Sequence, residues 1–369
     1  MRVVTARVLR RWAVVAAGTG VLCALPAIVA AWPVPASALS AAQLRTRMMA
    51  SSTVAYQGYA ESDVSLDLPT LPDLSDVISL LDGTTDQYAW YRSPGRWRAD
   101  VLTTAGEEDT YQTGGGTYVW DYSRNLLTEV TGVQAVRLPR ASDLLPPMLA
   151  RRLLAYAGVA GNREYRLPSQ RIAGIDAAGL RLVPTSSQTT IGAVEVWADP
   201  ATGLPVQVEV FARGASTPVL VTRFLEVSLS RPSLATVTPH PGPGIGFTLS
   251  QLPDVSGLLN GFAPPLPDTL AGLGQVANPS GLADVAAYGA GLTRFAVIPL
   301  PSGVGNTAMT KASLVGAAIK LQFGSGVLVT TPLLTMVLAA PPGGPVYLLT
   351  GAVTPRLLEQ AASQLLTAQ

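Results

Sequence analysis

Alternation of apolar and polar residues is clearest in the middle of the chain, over Leu204–Phe211. Val206, Val208 and Val210 share one face of this segment, and polar side chains occupy the other. Because successive side chains of a strand point to opposite faces, this period of two predicts a strand with one buried face.

Short aromatic and β-branched segments separated by turn residues predict an antiparallel meander in the first half of the chain. The turns are Ser93-Pro94-Gly95 and Gly114-Gly115-Gly116, and the latter joins two strands, unlike a phosphate-binding loop. The predicted strands are Val54–Leu66, Gln87–Tyr91, Arg96–Thr103, Asp109–Thr113, Thr117–Tyr122 and Leu126–Thr131, and later Ile191–Ala198 and Val219–Leu229.

Helix signals flank this meander. A capping box at Ser40 predicts a helix over Ala41–Ser51. A second helix is predicted over Ser142–Tyr156, with Pro147 in its first turn and Gly158 just past its end. The proline-rich excursion Pro69–Asp82 contains apolar residues at helical spacing.

The C-terminal part predicts a small α+β unit. A Pro-, Gly- and Leu-rich stretch, Pro239–Ser280, precedes it and is interpreted as a linker or a lid. Strands are predicted at Leu292–Pro299, Leu333–Ala339 and Val346–Gly351, and a helix follows Thr354-Pro355. The uncharged region Leu321–Pro355 is too interrupted to span a bilayer, so buried strands are the better interpretation.

The N-terminus has the pattern of a membrane-targeting segment. Four arginines among the first eleven residues precede an uncharged run of 21 residues, Trp12–Trp32, and Ala36-Ser37-Ala38 is a candidate cleavage site. The run is also long enough to span a bilayer, so a cleaved signal and an uncleaved anchor both remain open. Either alternative places the body outside the cytoplasmic membrane. Cys23 follows Leu22, which argues against lipidation.

Composition argues against several classes of function. The net charge of +1 provides no basic field for nucleic acid. The chain has one cysteine and one histidine, His240, and no Gly-x-Ser-x-Gly elbow, so no catalytic set and no cofactor site is predicted. The acidic run Glu107, Glu108 and Asp109 is interpreted as a solvated turn and not as a metal site.

Two groups of side chains are candidates for ligand binding. Large aromatic residues recur on one face of the meander and, with the valines above, could line an apolar cavity or fill an ordinary core. Arginines around the first turn could hold a phosphate or carboxylate, or could be charges at a solvated strand edge. The cavity candidates are Tyr88, Trp90, Tyr118, Trp120, Tyr122, Val206, Val208 and Val210, and the polar-rim candidates are Arg92, Arg96 and Arg98.

Four segments resemble the LolA/RseB group of extracytoplasmic proteins, in particular its actinobacterial members. They are YAWYRSPGRWRADV (Tyr88–Val101), GTYVWDYSRNLLTEVT (Gly116–Thr131), VWADPATGLPVQVEV (Val196–Val210) and LLTGAVTPRLLEQAASQLL (Leu348–Leu366). The resemblance implies an α+β fold: a curved antiparallel sheet, an unclosed half-barrel, wrapped around helices and enclosing an apolar cavity. A small C-terminal α+β domain completes the expected architecture.

The expected domains are a leader or anchor (1–38), a half-barrel (39–238), a linker or lid (239–282) and a C-terminal domain (283–369). The expected function is non-enzymatic, extracytoplasmic binding of a lipid or lipoprotein acyl chain, for carriage or sensing. The alternative that the resemblance implies is a regulatory module that binds the outer part of a membrane anti-sigma factor. A hydrolase is a third alternative, which the missing catalytic set disfavours.

Overall fold

The computed structural model describes residues 11–12, 14–16, 18–20, 33–68, 75–103, 106–131, 139–158, 161–242, 244–251, 265–276 and 285–368. Two unclosed, almost entirely antiparallel sheets dominate this part of the chain. The first has twelve strands in the order β12-β6-β5-β4-β3-β2-β1-β11-β10-β9-β8-β7, and the second has eight in the order β13-β14-β15-β16-β20-β19-β18-β17. The expected α+β class and the unclosed half-barrel are thereby confirmed.

The strands of the large sheet are β1 (Tyr56–Ser65), β2 (Asp82–Ser93), β3 (Arg96–Thr103), β4 (Gly106–Thr113), β5 (Gly116–Asp121), β6 (Leu126–Thr131), β7 (Asn162–Ile172), β8 (Ile175–Pro184), β9 (Ile191–Ala198), β10 (Pro205–Ala212), β11 (Leu220–Ser228) and β12 (Gly246–Gln251). The strands of the small sheet are β13 (Thr269–Leu270), β14 (Leu273–Val276), β15 (Ala286–Ala290), β16 (Thr293–Leu300), β17 (Ala317–Leu321), β18 (Gly324–Thr330), β19 (Thr335–Ala340) and β20 (Val346–Gly351).

The α-helices are α1 (Ala41–Ala50), α2 (Ser75–Leu81), α3 (Pro146–Ala157), α4 (Ser302–Ala312) and α5 (Pro355–Thr367), and short 3₁₀ turns lie at Ser51–Thr53 and Ala141–Leu144. The predicted capping box forms, because Ser40 Oγ accepts from the Gln43 amide and Gln43 Oε1 accepts from the Ser40 amide. Gly158 ends α3 with φ +62°, a conformation that glycine adopts without strain.

Helices α1 and α3 cover one face of the large sheet, which we call the inner face. Leu44 and Met48 of α1 and Leu154 of α3 are fully buried against the inward-facing residues of β8–β10, such as Val196 and Val208. The opposite, outer face carries the side chains that alternate with these. Which face of each strand meets the helices is therefore set by the period of two and by the pairing register.

The turn between β9 and β10 is fixed by local hydrogen bonds. The Asp199 carboxylate accepts from the amides of Ala201 and Thr202 and, at 2.6 Å, from the Thr202 hydroxyl. Gly203 has φ +75°, and a Cβ at this position would lie 2.3 Å from the Arg47 carbonyl oxygen. The Asp-Pro-x-Thr-Gly sequence therefore both closes the hairpin and lets α1 approach it closely.

The C-terminal unit folds around α5. Leu357, Leu358, Ala361 and Leu365 are buried against the small sheet, whose strands β19 and β20 pair antiparallel as predicted. The uncharged region supplies β18, β19 and β20, which confirms its interpretation as buried strands.

The two sheets meet at the β8–β9 loop. Thr189 Oγ1 donates to the carbonyls of Leu292 (3.0 Å) and Ala352 (2.8 Å), and Thr190 Oγ1 donates to that of Leu333. Leu292 and Leu333 belong to the same buried cluster as α1 and α3. The C-terminal unit is thus joined to the half-barrel through a shared apolar core.

Several strands of the large and small sheets were not predicted. Strands β7 and β8 have no counterpart among the predicted elements. The predicted linker contains β12, which pairs parallel with β6, and β13 and β14, which join the small sheet. The domain boundaries stay predictions.

Parts of some predicted features lie outside the described residues: residues 1–10 of the basic flank, most of Trp12–Trp32, residues 69–74 of the excursion, and residues 243, 252–264 and 277–280 of the linker. In the described portion of the chain, no helix combines the length and the apolar character needed to cross a bilayer. The leader prediction is not tested by this finding.

Candidate ligand cavity and buried charge cluster

The structure divides the predicted cavity residues between the two faces of the large sheet. Tyr88 and Trp90 of β2 alternate with Ala89 and Tyr91, which are buried on the inner face. Cross-strand pairing places the predicted aromatic residues of β5 on the same outer face as Trp90. The three valines of β10 lie on the inner face. The two sets therefore lie on opposite sides of the sheet.

Tyr88 and Trp90 line a shallow outer groove of 320 Å³ together with Tyr59. The Tyr59 and Tyr88 ring centroids are 4.8 Å apart, and those of Tyr88 and Trp90 are 5.9 Å apart. Tyr88 is 41% exposed. The groove is an open aromatic surface and not an enclosed cavity.

Trp120 occupies a small satellite core on the outer face. It is buried with Tyr111 and Leu127, with Tyr118 against them, and it stacks on Tyr122 at a centroid distance of 4.8 Å. Val206, Val208 and Val210 are also buried core residues. These placements match the alternative of an ordinary core, and a role in ligand binding stays a prediction for all eight residues.

The three predicted rim arginines have different surroundings. Arg92 donates to the Pro232 carbonyl, which ties β2 to the segment after β11. Arg96 is exposed at the turn. Arg98 points to the outer face and lies 5.0 Å from the Trp90 ring centroid and 5.1 Å from that of Tyr111. Their role as a ligand rim stays a prediction.

Arg98 is the centre of a buried charge cluster. Its guanidinium contacts Asp100 at 2.5 Å, Asp109 at 2.8 Å and Glu107 at 3.6 Å. Carboxylate oxygens of the three acids lie within 4.8 Å of one another. Asp100 and Asp109 are buried, so the prediction of a solvated turn is wrong for Asp109. The reason is that Asp109 faces Asp100 across the β3–β4 pair, on a covered part of the outer face.

Tyrosine hydroxyls complete this cluster. Those of Tyr111 and Tyr122 donate to Asp109 Oδ2 at 3.0 and 3.1 Å, whereas Asp109 Oδ1 is buried and no described residue forms a hydrogen bond with it. Burial, reinforced by Asp109, raises the pKa of Tyr122 to about 12. The cluster therefore links β3, β4 and the end of β5 through charge-assisted hydrogen bonds.

Asp100 makes the stability of this cluster depend on pH. Burial, strengthened by the neighbouring Asp109 and opposed by Arg98, raises the pKa of Asp100 from 3.8 to about 8. The folded chain therefore binds this proton more tightly than the unfolded chain does. The stability that this group contributes is fully present below about pH 4 and is lost as the pH rises through about 8.

We expect Asp100→Asn, which cannot titrate, to remove this part of the pH dependence. Urea unfolding between pH 4 and 8 measures it. The free energy of unfolding of the wild type, minus that of the variant, should decrease as the pH rises. Parallel pH profiles for the two proteins would show that Asp100 does not titrate in this range.

An inner cavity of 470 Å³ lies between the sheet and the start of α3. Tyr91 and Trp97, a cross-strand pair of β2 and β3, form its sheet side, and Met148 of α3 faces them. The remaining lining residues are Ser52, Pro94, Gln112, Thr117, Val130, Arg140, Ser142, Asp143 and Arg151. Its volume is within the range of about 300–1,000 Å³ typical of small-molecule sites.

The sequence interpretation missed this cavity because it selected the opposite face of β2. The signal was present in the Ser93-Pro94-Gly95 turn, which brings Tyr91 and Trp97 opposite each other. Ala89 and Ala99 are small and fully buried on the same face, in contrast to the outward aromatic residues. The sequence held no signal that α3 would stop short of filling this space.

No protein-family model matches the chain, and no curated protein sequence matches it. Among solved structures, MucB in the MucA/MucB complex of Pseudomonas aeruginosa is 16% identical, with a TM-score of 0.50 over 87% of this chain and 96% of that chain. MucB in complex with MucA(peri) is 16% identical, with a TM-score of 0.49 over 88% and 97%. A LolA superfamily protein from Nitrosomonas europaea is 11% identical, with a TM-score of 0.26 over 55% and 99%. At these identities, the match to MucB in the MucA/MucB complex shows a shared fold.

Proposed function

Because the chain has a LolA/RseB-like fold, we propose that it binds the acyl chain of a lipid or lipoprotein in the inner cavity, outside the cytoplasmic membrane. The observation that carries this proposal is the 470 Å³ cavity walled by Tyr91, Trp97 and Met148. Pro94 and Val130 extend this apolar wall, and the other seven lining side chains are polar or charged, so the cavity can contact both the alkyl chain and the polar headgroup of an amphiphile.

Hydrophobic burial is sufficient for such binding. Each methylene that leaves water gains about 0.8 kcal/mol, so eight of them gain roughly 6 kcal/mol before the cost of association. The protein then carries or senses its ligand without covalent chemistry. The arginine-rich start of the chain and the apolar run after it support a location on the outer side of the membrane.

The test is binding of 1-decanol, a neutral probe, to the full chain and to two matched variants, measured by titration calorimetry. Met148→Asp places a carboxylate in the inner cavity, and Tyr88→Asp places one on the outer groove. We expect at least a tenfold loss of affinity in Met148→Asp, because a buried charge beside an alkyl chain is strongly unfavourable. Tyr88→Asp should bind as the wild type does.

The opposite result, loss in Tyr88→Asp and none in Met148→Asp, would move the site to the outer aromatic groove. Absence of binding to the wild type would overturn the proposal. Circular dichroism of both variants separates loss of binding from loss of fold.

A second candidate function is regulation, through binding of the outer part of a membrane anti-sigma factor by the C-terminal unit. The observation that favours it is the fold shared with MucB, which was solved in complex with MucA. A pull-down with the full chain as bait distinguishes the candidates. Recovery of a single-span membrane protein supports regulation, and recovery of lipoproteins supports carriage.

A further inference from the structure

Arg151 lines the inner cavity with part of its guanidinium unused. It lies on α3, where its Nη2 is 3.5 Å from the Met148 sulfur and its Cζ is 5.8 Å from the Tyr91 ring centroid. Its Nη1 is buried and has no hydrogen-bond partner in the part of the chain that the structure describes. A buried guanidinium N–H without an acceptor costs free energy, so a ligand that supplies an acceptor there gains affinity.

The charge of Arg151 is also not neutralised by a neighbouring acid. Within the described residues Arg151 forms no ion pair, and the one acid that lines the cavity, Asp143, has other partners. Asp143 pairs with Arg152 at 3.6 Å and accepts from the Arg140 amide at 3.0 Å. The cavity therefore presents an uncompensated positive charge beside its apolar wall.

The effect of this charge extends into the adjacent core. Burial raises the pKa of the Tyr56 and Tyr91 hydroxyls, and the positive charge of Arg151 opposes that rise at both. Tyr56 and Tyr91 stack at a centroid distance of 5.0 Å. The guanidinium thus acts within a poorly solvated region, where a charge-assisted hydrogen bond is stronger than at the surface.

We propose that the ligand of the inner cavity is an amphiphile with an anionic oxygen headgroup, a phosphate or a carboxylate, which accepts hydrogen bonds from Arg151. This proposal rests on the proposed function and deepens it. The alkyl chain lies along Tyr91, Trp97 and Met148, and the headgroup lies against the Arg151 guanidinium, which itself contacts Met148 and Tyr91. Arginine suits this role because its planar donors match two oxygens of one phosphate or carboxylate.

The test compares three probes on the full chain by titration calorimetry at low ionic strength: decyl phosphate, 1-decanol and inorganic phosphate. Decyl phosphate and 1-decanol carry the same alkyl chain and differ in headgroup charge. We expect decyl phosphate to bind about tenfold more tightly than 1-decanol, the effect of one hydrogen bond to a charged group. Inorganic phosphate, which lacks the chain, should bind far more weakly than decyl phosphate.

Variants assign the preference to Arg151. Arg151→Gln should abolish the preference for decyl phosphate over 1-decanol, so that the ratio of the two affinities falls to about one, whereas Arg151→Lys should keep part of the preference. Arg124→Gln is the matched control, because Arg124 is 77% exposed and outside the cavity but carries the same charge. It should leave the preference intact.

Each contrary outcome has a distinct meaning. If neither amphiphile binds, the proposed function fails and this inference fails with it. Equal affinity of the two amphiphiles overturns the headgroup proposal and leaves acyl-chain binding in place. Inorganic phosphate binding as tightly as decyl phosphate would show a site for free anions, and an equal loss in Arg124→Gln would show a general charge effect; either result overturns the assignment.

Discussion

Arg98→Met should lower the free energy of unfolding by about 3–5 kcal/mol at pH 7, the usual cost of removing one partner from a buried ion pair. Methionine keeps most of the side-chain stem, so the change removes the charge and little of the packing. Asp109, which is fully buried, would keep its two tyrosine donors and lose its cation. Urea unfolding followed by circular dichroism measures the loss.

Acidification provides an internal check on this prediction. Arg98 opposes the rise in the pKa of Asp100, so with the cation gone protonation of Asp100 removes part of the uncompensated negative charge, and the deficit of the variant should shrink as the pH falls through about 8. Arg124→Met is the control, since its partner Asp121 lies at the surface and the pair contributes at most about 1 kcal/mol. Equal losses of unfolding free energy in Arg98→Met and Arg124→Met would show that the charge cluster stabilises the fold no more than a surface ion pair does.

Leu154→Ala should cost about 2–5 kcal/mol, the range for truncation of a fully buried leucine. Leu154 is 0% exposed and lies in α3, where the helix packs against α1 and the inner face of the sheet. The cost is a lost transfer free energy plus a void, because neighbours from three elements cannot all move inward.

Arg152→Ala on the same helix is the matched control, since Arg152 is 48% exposed and its contact with Asp143 spans 3.6 Å. We expect a loss below about 1 kcal/mol. Thermal unfolding of Leu154→Ala and Arg152→Ala measures the two losses of stability. A small loss in Leu154→Ala would indicate that α3 is loosely packed, which would also weaken the case for a defined inner cavity.

Local signals were sufficient for much of the fold. The turns at 93–95 and 114–116, the capping box at Ser40 and the Thr354-Pro355 helix start all act through residues adjacent in sequence. Turn conformers and helix caps depend on such short-range chemistry, so the hairpins β2–β3, β4–β5 and β19–β20 follow from the chain directly. Alternation in β10 likewise identified its buried face.

Elements with weak or distant signals were missed. The edge strand β7 has arginines and exposed positions on both of its faces. Its sequence therefore shows no apolar face that would predict a strand. Strand β12 pairs parallel with β6, which lies more than a hundred residues earlier, and no local pattern encodes that partner. Pairing of this kind is decided by which sheet edge is available once the rest has folded.

The inner cavity and the charge cluster were likewise predicted only in part from the sequence. Sequence alone determined that aromatic residues alternate along β2 and β5 and that Arg98 lies beside them. Only the tertiary structure decided that the helices cover the face of Tyr91 and not that of Trp90, which moved the cavity to the inner side. It also decided that Asp109 is buried against Arg98 and that Nη1 of Arg151 has no hydrogen-bond partner among the described residues. The physical reason is that period and turn chemistry are local, whereas burial of a charge depends on which distant surface closes over it.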